Sequence, residues 1–253
     1  MIYKPVSLTE SQIGKYVDIN GDGIPEGVIF ADLAVGGEGR WWPSDCECLA
    51  SRYLKHTSYV IPPVKEGLKD YIVTDTYTHP INGKQEVLAP SGEGIDRFYV
   101  LSLNNYVPNT YRWYAAAHDD GISDYNIVTS EDFAAGRQNT LNMINKWNNS
   151  AYGKQNARFD YKDLWGEIQN EVKNGWFIPS RAEWAAFGDK LKININNYEK
   201  KGLEDEYFSS SLCNSFECFG IGFCNDEVPV NKSGYIWVWD IPVCSQVRLA
   251  TII

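Results

Sequence analysis

Between Cys218 and Cys224 every second residue is large and apolar: Phe219, Ile221 and Phe223 alternate with Cys218, Gly220, Gly222 and Cys224. Shortly after, Tyr235–Ile236–Trp237–Val238–Trp239 alternates aromatic with aliphatic side chains. Successive side chains of a strand point to opposite faces, so a period of two marks both runs as strands. Phe219, Ile221, Phe223, Ile236 and Val238 are expected to face a core. The other face then shows small residues and large aromatics instead of the usual charges. Exposed aromatic area of this kind is expected to contact a ligand, with Tyr235, Trp237 and Trp239 as a ridge. The alternative is a pair of strands buried on both faces, which alternation alone leaves open.

The middle of the chain predicts three helices. The first lies within Glu131–Trp147, opened by Thr129–Ser130–Glu131–Asp132, with Leu141, Ile144 and Trp147 on one stripe. The second runs about Tyr161–Lys173, with Asp160 as its N-cap, Leu164, Ile168 and Val172 as its apolar stripe and Gly175 as its stop. The third follows Trp176–Phe177–Ile178–Pro179. It opens on Ser180–Arg181–Ala182–Glu183, a capping box, and buries Trp184, Phe187 and Leu191. Before these helices, Tyr16–Ile19, Gly27–Ala31, Val60–Pro63, Tyr71–Thr74 and Arg97–Leu103 read as strands, and Gly36–Gly39 as a flexible loop. Only strands and loops are expected after them. This order predicts an α+β fold with an antiparallel sheet. With 253 residues, no internal repeat and no low-complexity linker, one domain over 1–253 is expected.

Charge narrows the partners. A formal net charge of −10 and a pI near 4.8 argue against nucleic acid, whose phosphates need a basic surface, and against anionic membranes. No run approaches the ~18 apolar residues of a membrane span. The start, Met1–Ser7, has no apolar leader, so a cytoplasmic or virion-associated chain with reduced thiols is expected. The six cysteines (46, 48, 213, 218, 224 and 244) lack the tight pairs of a zinc site, and His56, His79 and His118 are scattered. No nucleophile elbow, phosphate loop or dinucleotide fingerprint occurs. Asp18-x-Asn20-x-Asp22-Gly23 offers alternate oxygen ligands and a glycine turn, as calcium loops do. Its twelfth position is Ile29, where an EF-hand needs glutamate, although Glu26 could complete a shorter loop. The competing reading is an Asx-rich turn between two strands. No cofactor other than calcium is expected.

Gly175–Trp176–Phe177–Ile178–Pro179–Ser180–Arg181–Ala182–Glu183–Trp184 resembles the element "GW-hydrophobic-PS-K/R-x-E-hydrophobic" of bacterial and phage domains with a C-type lectin fold, the group that includes the formylglycine-generating enzyme. Tyr207–Phe208–Ser209–Ser210–Ser211 looks like their "Y-W/F-S-S-S" strand, and Phe223, Lys232 and Val247–Arg248–Leu249–Ala250 fit their closing pattern. The resemblance covers about 129–253; residues 1–128 match it poorly. Within the group, the chain is most similar to variable proteins of diversity-generating retroelements, in which a C-terminal segment is rewritten at adenines. The mixture Cys213, Ser215, Phe216, Cys218, Gly220, Gly222, Cys224, Ser233, Tyr235, Asp240 and Cys244 looks like such a draw from asparagine codons.

The resemblance implies a non-enzymatic protein that binds a protein or cell-surface macromolecule through a variable patch within 207–253, with Phe216, Tyr235, Trp237 and Trp239 as anchors. It also implies that Ser209–Ser211 is a core strand whose hydroxyls bond the backbone. Arg248 is expected to be structural, tying carbonyls or a carboxylate together. Two other readings stand beside it: an oxidase of the formylglycine-generating type acting through a cysteine pair, and a structural virion or surface-display module.

Overall fold

Gly27–Asp32 has no exposed position, as a run of five apolar or small residues ending in one acid predicts for a strand covered on both faces. The computed structural model describes residues 4–41, 57–106, 111–113, 122–149, 163–194, 196–215, 217–222, 235–240 and 244–253. Its strands before the helices are β1 (Lys4–Pro5), β2 (Tyr16–Val17), β3 (Gly27–Asp32), β4 (Gly37–Trp41), β5 (Thr57–Ile61), β6 (Tyr71–His79), β7 (Gly83–Pro90), β8 (Phe98–Ser102) and β9 (Tyr111–Arg112). The helices are α1 (Tyr125–Val128), α2 (Gly136–Asn148), α3 (Leu164–Glu167), α4 (Gln169–Lys173) and α5 (Arg181–Lys190). β10 (Glu206–Leu212), β11 (Glu217–Gly222), β12 (Tyr235–Asp240), β13 (Cys244–Ser245) and β14 (Ala250–Ile252) follow. The content is mixed α+β, with one large sheet and few helices.

Seven strands form that sheet in the order β1-β6-β7-β2-β3-β8-β14. All neighbours are antiparallel except β2 and β7. β14 brings the end of the chain back against β8, so the large sheet draws on both halves of the sequence. The alternation of β3 supplies two cores. Val28 and Phe30 join the cluster that holds Trp184 and Phe187 of α5, while Ile29 joins Tyr71, Leu88, Phe98 and Val100 on the other face. Phe30 meets Phe187 edge to face at 6.2 Å between ring centroids. A further cluster joins α2 and α3 to the C-terminal region: Met143, Ile144 and Trp147 pack with Leu164, Trp165 and Ile168, and with Phe208, Leu212, Val247 and Leu249.

Several sequence expectations are corrected here. Leu141 is 37% exposed, and the buried stripe of α2 runs instead through Asn139, Thr140, Met143, Ile144 and Trp147. Two polar members of that stripe have buried partners, which hydropathy cannot reveal. The second helix is split into α3 and α4, with Asp163 as its cap: the Asp163 carboxylate accepts from the Trp165 and Gly166 amides. Asp160, the expected cap, lies outside the described residues. The expected loop Gly36–Gly39 instead opens a strand, because β4 pairs with β5 from Gly37↔Ile61 to Trp41↔Thr57. β7 was hidden by its polar start, Lys84–Gln85–Glu86, and forms as the partner of β6.

One buried ion pair ties the N-terminal segment to the sheet. Arg97 donates from Nε to Asp32 Oδ1 at 2.9 Å and from Nη2 to Asp32 Oδ2 at 3.0 Å, with both side chains inaccessible. Asp32 also accepts from the Gln12 and Ala34 amides, and Arg97 donates to the Ser7 carbonyl. Truncating one partner leaves the other charge buried alone. Asp32→Ala is expected to lower stability by about 3–5 kcal/mol in urea unfolding. A loss below about 1 kcal/mol would show that the pair does not hold this part of the sheet.

Candidate functional site

The C-terminal region is assembled around buried hydroxyls. Ser209, Ser210 and Ser211 of β10 are all fully buried. The Ser209 hydroxyl donates to the Phe219 carbonyl of β11 at 2.7 Å, Ser210 Oγ accepts from Asn139 Nδ2 of α2, and the Ser211 hydroxyl donates to the Ser130 carbonyl. Ser211 Oγ also accepts from the Arg181 amide at the start of α5. Thr129 Oγ1 accepts from the Leu212 amide, and Asn139 exchanges two hydrogen bonds with the Ser130 backbone. Ser209 and Ser211 thus bond the backbone as expected, whereas the Ser210 hydroxyl is bonded to the Asn139 side chain. β10 is pinned on one side to α2 and α5 and on the other to β11.

The capping box of α5 is the second half of this arrangement. Ser180 Oγ accepts from the Glu183 amide, Glu183 Oε2 accepts from the Ser180 amide at 2.6 Å, and the Ser180 hydroxyl donates to the Asp132 carbonyl. Gly136 opens α2 directly against it: a Cβ there would collide with the Glu183 carboxylate and lie 2.8 Å from the Ile178 carbonyl. Arg181 leaves the cap sideways. It donates to Thr57 Oγ1 and Glu131 Oε2, and its guanidinium lies 4.1 Å from the centroid of the Phe219 ring. Arg248 is structural as expected: it donates to Asn105 Oδ1 and the Gly202 carbonyl and faces the Tyr207 ring.

β11 lies between two cores. Phe219 and Ile221 belong to the α5 cluster, as their spacing predicts. Cys218 belongs to the α2–α3 cluster and has no exposed surface, and Gly220 and Gly222 are buried as well. The face of β11 expected to meet solvent is therefore covered, which corrects the sequence expectation for Cys218, Gly220 and Gly222. The cause is the second apolar layer of α2, α3, Val247 and Leu249, which no period along β11 announces. Cys213 and Ser215 are half-buried in the turn between β10 and β11. Tyr235, Trp237, Trp239 and Asp240 lie on β12, the outer strand of the order β10-β11-β12, paired with Gly222, Gly220, Cys218 and Glu217 respectively. Ile236 and Val238 pair with Ile221 and Phe219. Cys244 lies on β13, opposite Arg112. Phe216, Phe223, Cys224, Lys232 and Ser233 lie outside the described residues.

The acidic turn between β2 and β3 is closed by its own side chains. Asp18, almost fully buried, accepts from the Gly21 amide on one oxygen and the Gly23 amide on the other. Asn20 accepts from Asp22 and Asp22 from Ile24, the pattern of stacked Asx turns. Glu26 accepts from the Ile19 amide through one oxygen, while the other is buried without a hydrogen-bond partner. Carboxylate oxygens of Asp18, Asp22 and Glu26 lie within 4.8 Å of one another, so the donor set suits a hard cation, with Glu26 rather than Asn20 as the third acid. Burial, and then the neighbouring Asp18 and Asp22 charges, raise the Glu26 carboxyl above its ordinary range.

Beside this turn is a cleft of about 420 Å³. It is lined by Asp22, Ile24 and Glu26 of the turn together with Tyr106, Glu171 and Trp176. These residues come from three distant stretches of chain, and no local motif joins them.

No family model and no curated protein matches the chain. Among solved structures, a fimbrial protein from Bacteroides ovatus matches 62% of this chain and 36% of its own, at 14% identity and a TM-score of 0.38. The chain thus spans little more than a third of that protein. A likeness at this level fixes neither fold nor function.

Glu183 provides a readout for the scaffold. Its complete burial raises the carboxyl from 4.5 to about 7, against the pull of the Ser180 amide and hydroxyl. The folded state therefore holds the proton more tightly than the unfolded one. The stability gained is complete below pH 4.5 and is lost as pH rises through about 7. Glutamine keeps the capping geometry without the charge. In urea unfolding across pH 4–8, wild type is expected to lose on the order of 2–3 kcal/mol relative to Glu183→Gln between those limits. A difference that does not vary with pH would contradict this assignment.

Proposed function

We propose that the chain is a non-enzymatic ligand-binding protein with a C-type-lectin-like scaffold, whose C-terminal segment is diversified by a retroelement. The observation that carries the reading is the position of β12. It is the outer strand of a three-stranded sheet whose other two members are buried and pinned by hydroxyls. Fixed inner strands leave an outer strand free to change sequence without loss of the core. The sequence of β12, Tyr-Ile-Trp-Val-Trp-Asp, is rich in the residue types that dominate recognition surfaces. The C-type-lectin reading draws further support from the capping box at Ser180, the buried triple serine and the buried Arg248.

The burial of β11 narrows the proposal. Contact is assigned to the half-buried turn residues Cys213 and Ser215 and to the outer edge of β12, and not to Cys218, Gly220 or Gly222. It also weighs against the oxidase reading, because the Cys218 thiol has no surface to offer a peptide. The partner class is a protein or cell-surface macromolecule.

Comparison of several copies of the gene from one source tests the proposal. Differences are expected to concentrate at codons with adenines in the donor copy, at 213–216 and 233–244, with Ser209–Ser211, Phe219 and Ile221 constant. Differences spread evenly along the chain, or identity throughout 213–244, would overturn it.

A further inference from the structure

The cleft beside the β2–β3 turn has a composition that the proposed function does not use. Ile24 is 65% exposed at its wall, and Trp176 and Tyr106 are partly buried with their rings against the α2–α3 core. Together they offer apolar and aromatic surface to whatever enters. The charged residues that line the cleft are Asp22, Glu26 and Glu171; among its described lining residues there is no Lys, Arg or His. Among the described residues, none of these three carboxylates takes part in an ion pair. The Glu26 carboxyl, crowded by Asp18 and Asp22, keeps one oxygen buried and unbonded, and the Tyr106 hydroxyl is raised by burial and then by the Glu171 and Glu167 carboxylates. Apolar and aromatic surface combined with carboxylates matches a ligand that has a hydrocarbon stem and a cationic head.

We propose that this cleft binds an alkylammonium group. The stem lies along Ile24 and the Trp176 and Tyr106 rings, and the ammonium is held by Asp22 and Glu171, with Glu26 adding to the field from behind. A bare inorganic cation would leave the aromatic surface unused, and a neutral ligand would leave the carboxylates uncompensated. Ammonium over an aromatic face gains further from the ring quadrupole. A lysine side chain of a partner protein and a free polyamine share this chemistry.

The test is NMR titration of the full-length protein in chelator, following the Ile24 amide and the Trp176 indole N–H. The probes are Nα-acetyl-lysine amide, its Nε-acetylated form, and spermidine. Saturable shifts of both resonances with the lysine amide or spermidine, absent with the neutral Nε-acetyl form and weakened by rising salt, are expected. Tighter binding of the lysine probe identifies a protein partner, and tighter binding of spermidine a polyamine. Asp22→Asn with Glu171→Gln, both at the protein surface, should weaken binding at least about fivefold. Equal shifts from the Nε-acetyl probe, no shifts at either resonance, shifts that require added calcium, or an unchanged affinity in the folded double variant would each overturn the proposal.

Discussion

Three consecutive serines buried on a strand constrain this molecule more than any apolar contact. A buried hydroxyl or amide without a partner costs about 1–3 kcal/mol, so each must find one. Here the partners come from three separate elements: the Phe219 carbonyl of β11, the Asn139 amide of α2, and the Ser130 carbonyl and Arg181 amide that flank the start of α5. Moving any one element would leave several donors or acceptors unpaired. The capping box of Ser180 and Glu183 locks the same junction from the helix side, and Gly136 lets α2 come close enough to share it. Networks of this kind are stringent because they tolerate no partial assembly.

The consequence passes outward along the small sheet. β10 is fixed by its hydroxyls, and β11 is fixed to β10 and held between the α5 cluster and the α2–α3 cluster. β12 is then positioned by a continuous register from Glu217↔Asp240 to Gly222↔Tyr235. The small residues of β11 take a different meaning in this setting. They do not shape pockets at a surface; they are enclosed, Cys218 within the second core. The proposed recognition surface is consequently reduced to the turn at 213–215 and the outer strand. The acidic turn and the cleft beside it, which Leu249 of the C-terminal core helps to line, are the place of the second proposed ligand.

What the sequence discloses follows from how local each signal is. The α5 capping box, the Gly175 stop, the buried faces of Trp184 and Phe187 and the Asx turn at Asp18 are settled by residues within a few positions, and each is found where it was read. Arg248 and the serine strand were legible through resemblance. Leu141 was misplaced because the stripe of α2 runs through Asn139 and Thr140, whose burial is licensed by distant partners. β7 and β4 formed because neighbouring strands recruited polar or glycine-rich segments. Cys218, Gly220 and Gly222 were expected outside because alternation reports two faces but not what covers each. The cleft was invisible because Ile24, Tyr106, Glu171 and Trp176 meet only through the tertiary fold.

Hydrogen–deuterium exchange resolved to single amides tests the central claim most directly. If the hydroxyl network fixes the inner strands and β12 is an outer element, the amides of Ser209, Ser211 and Phe219–Ile221 exchange only through global unfolding, as slowly as those of β3. Amides of Tyr235–Asp240 then exchange through a lower-energy opening. Inner strands that exchange as fast as β12, or a β12 as protected as β3, would contradict the account.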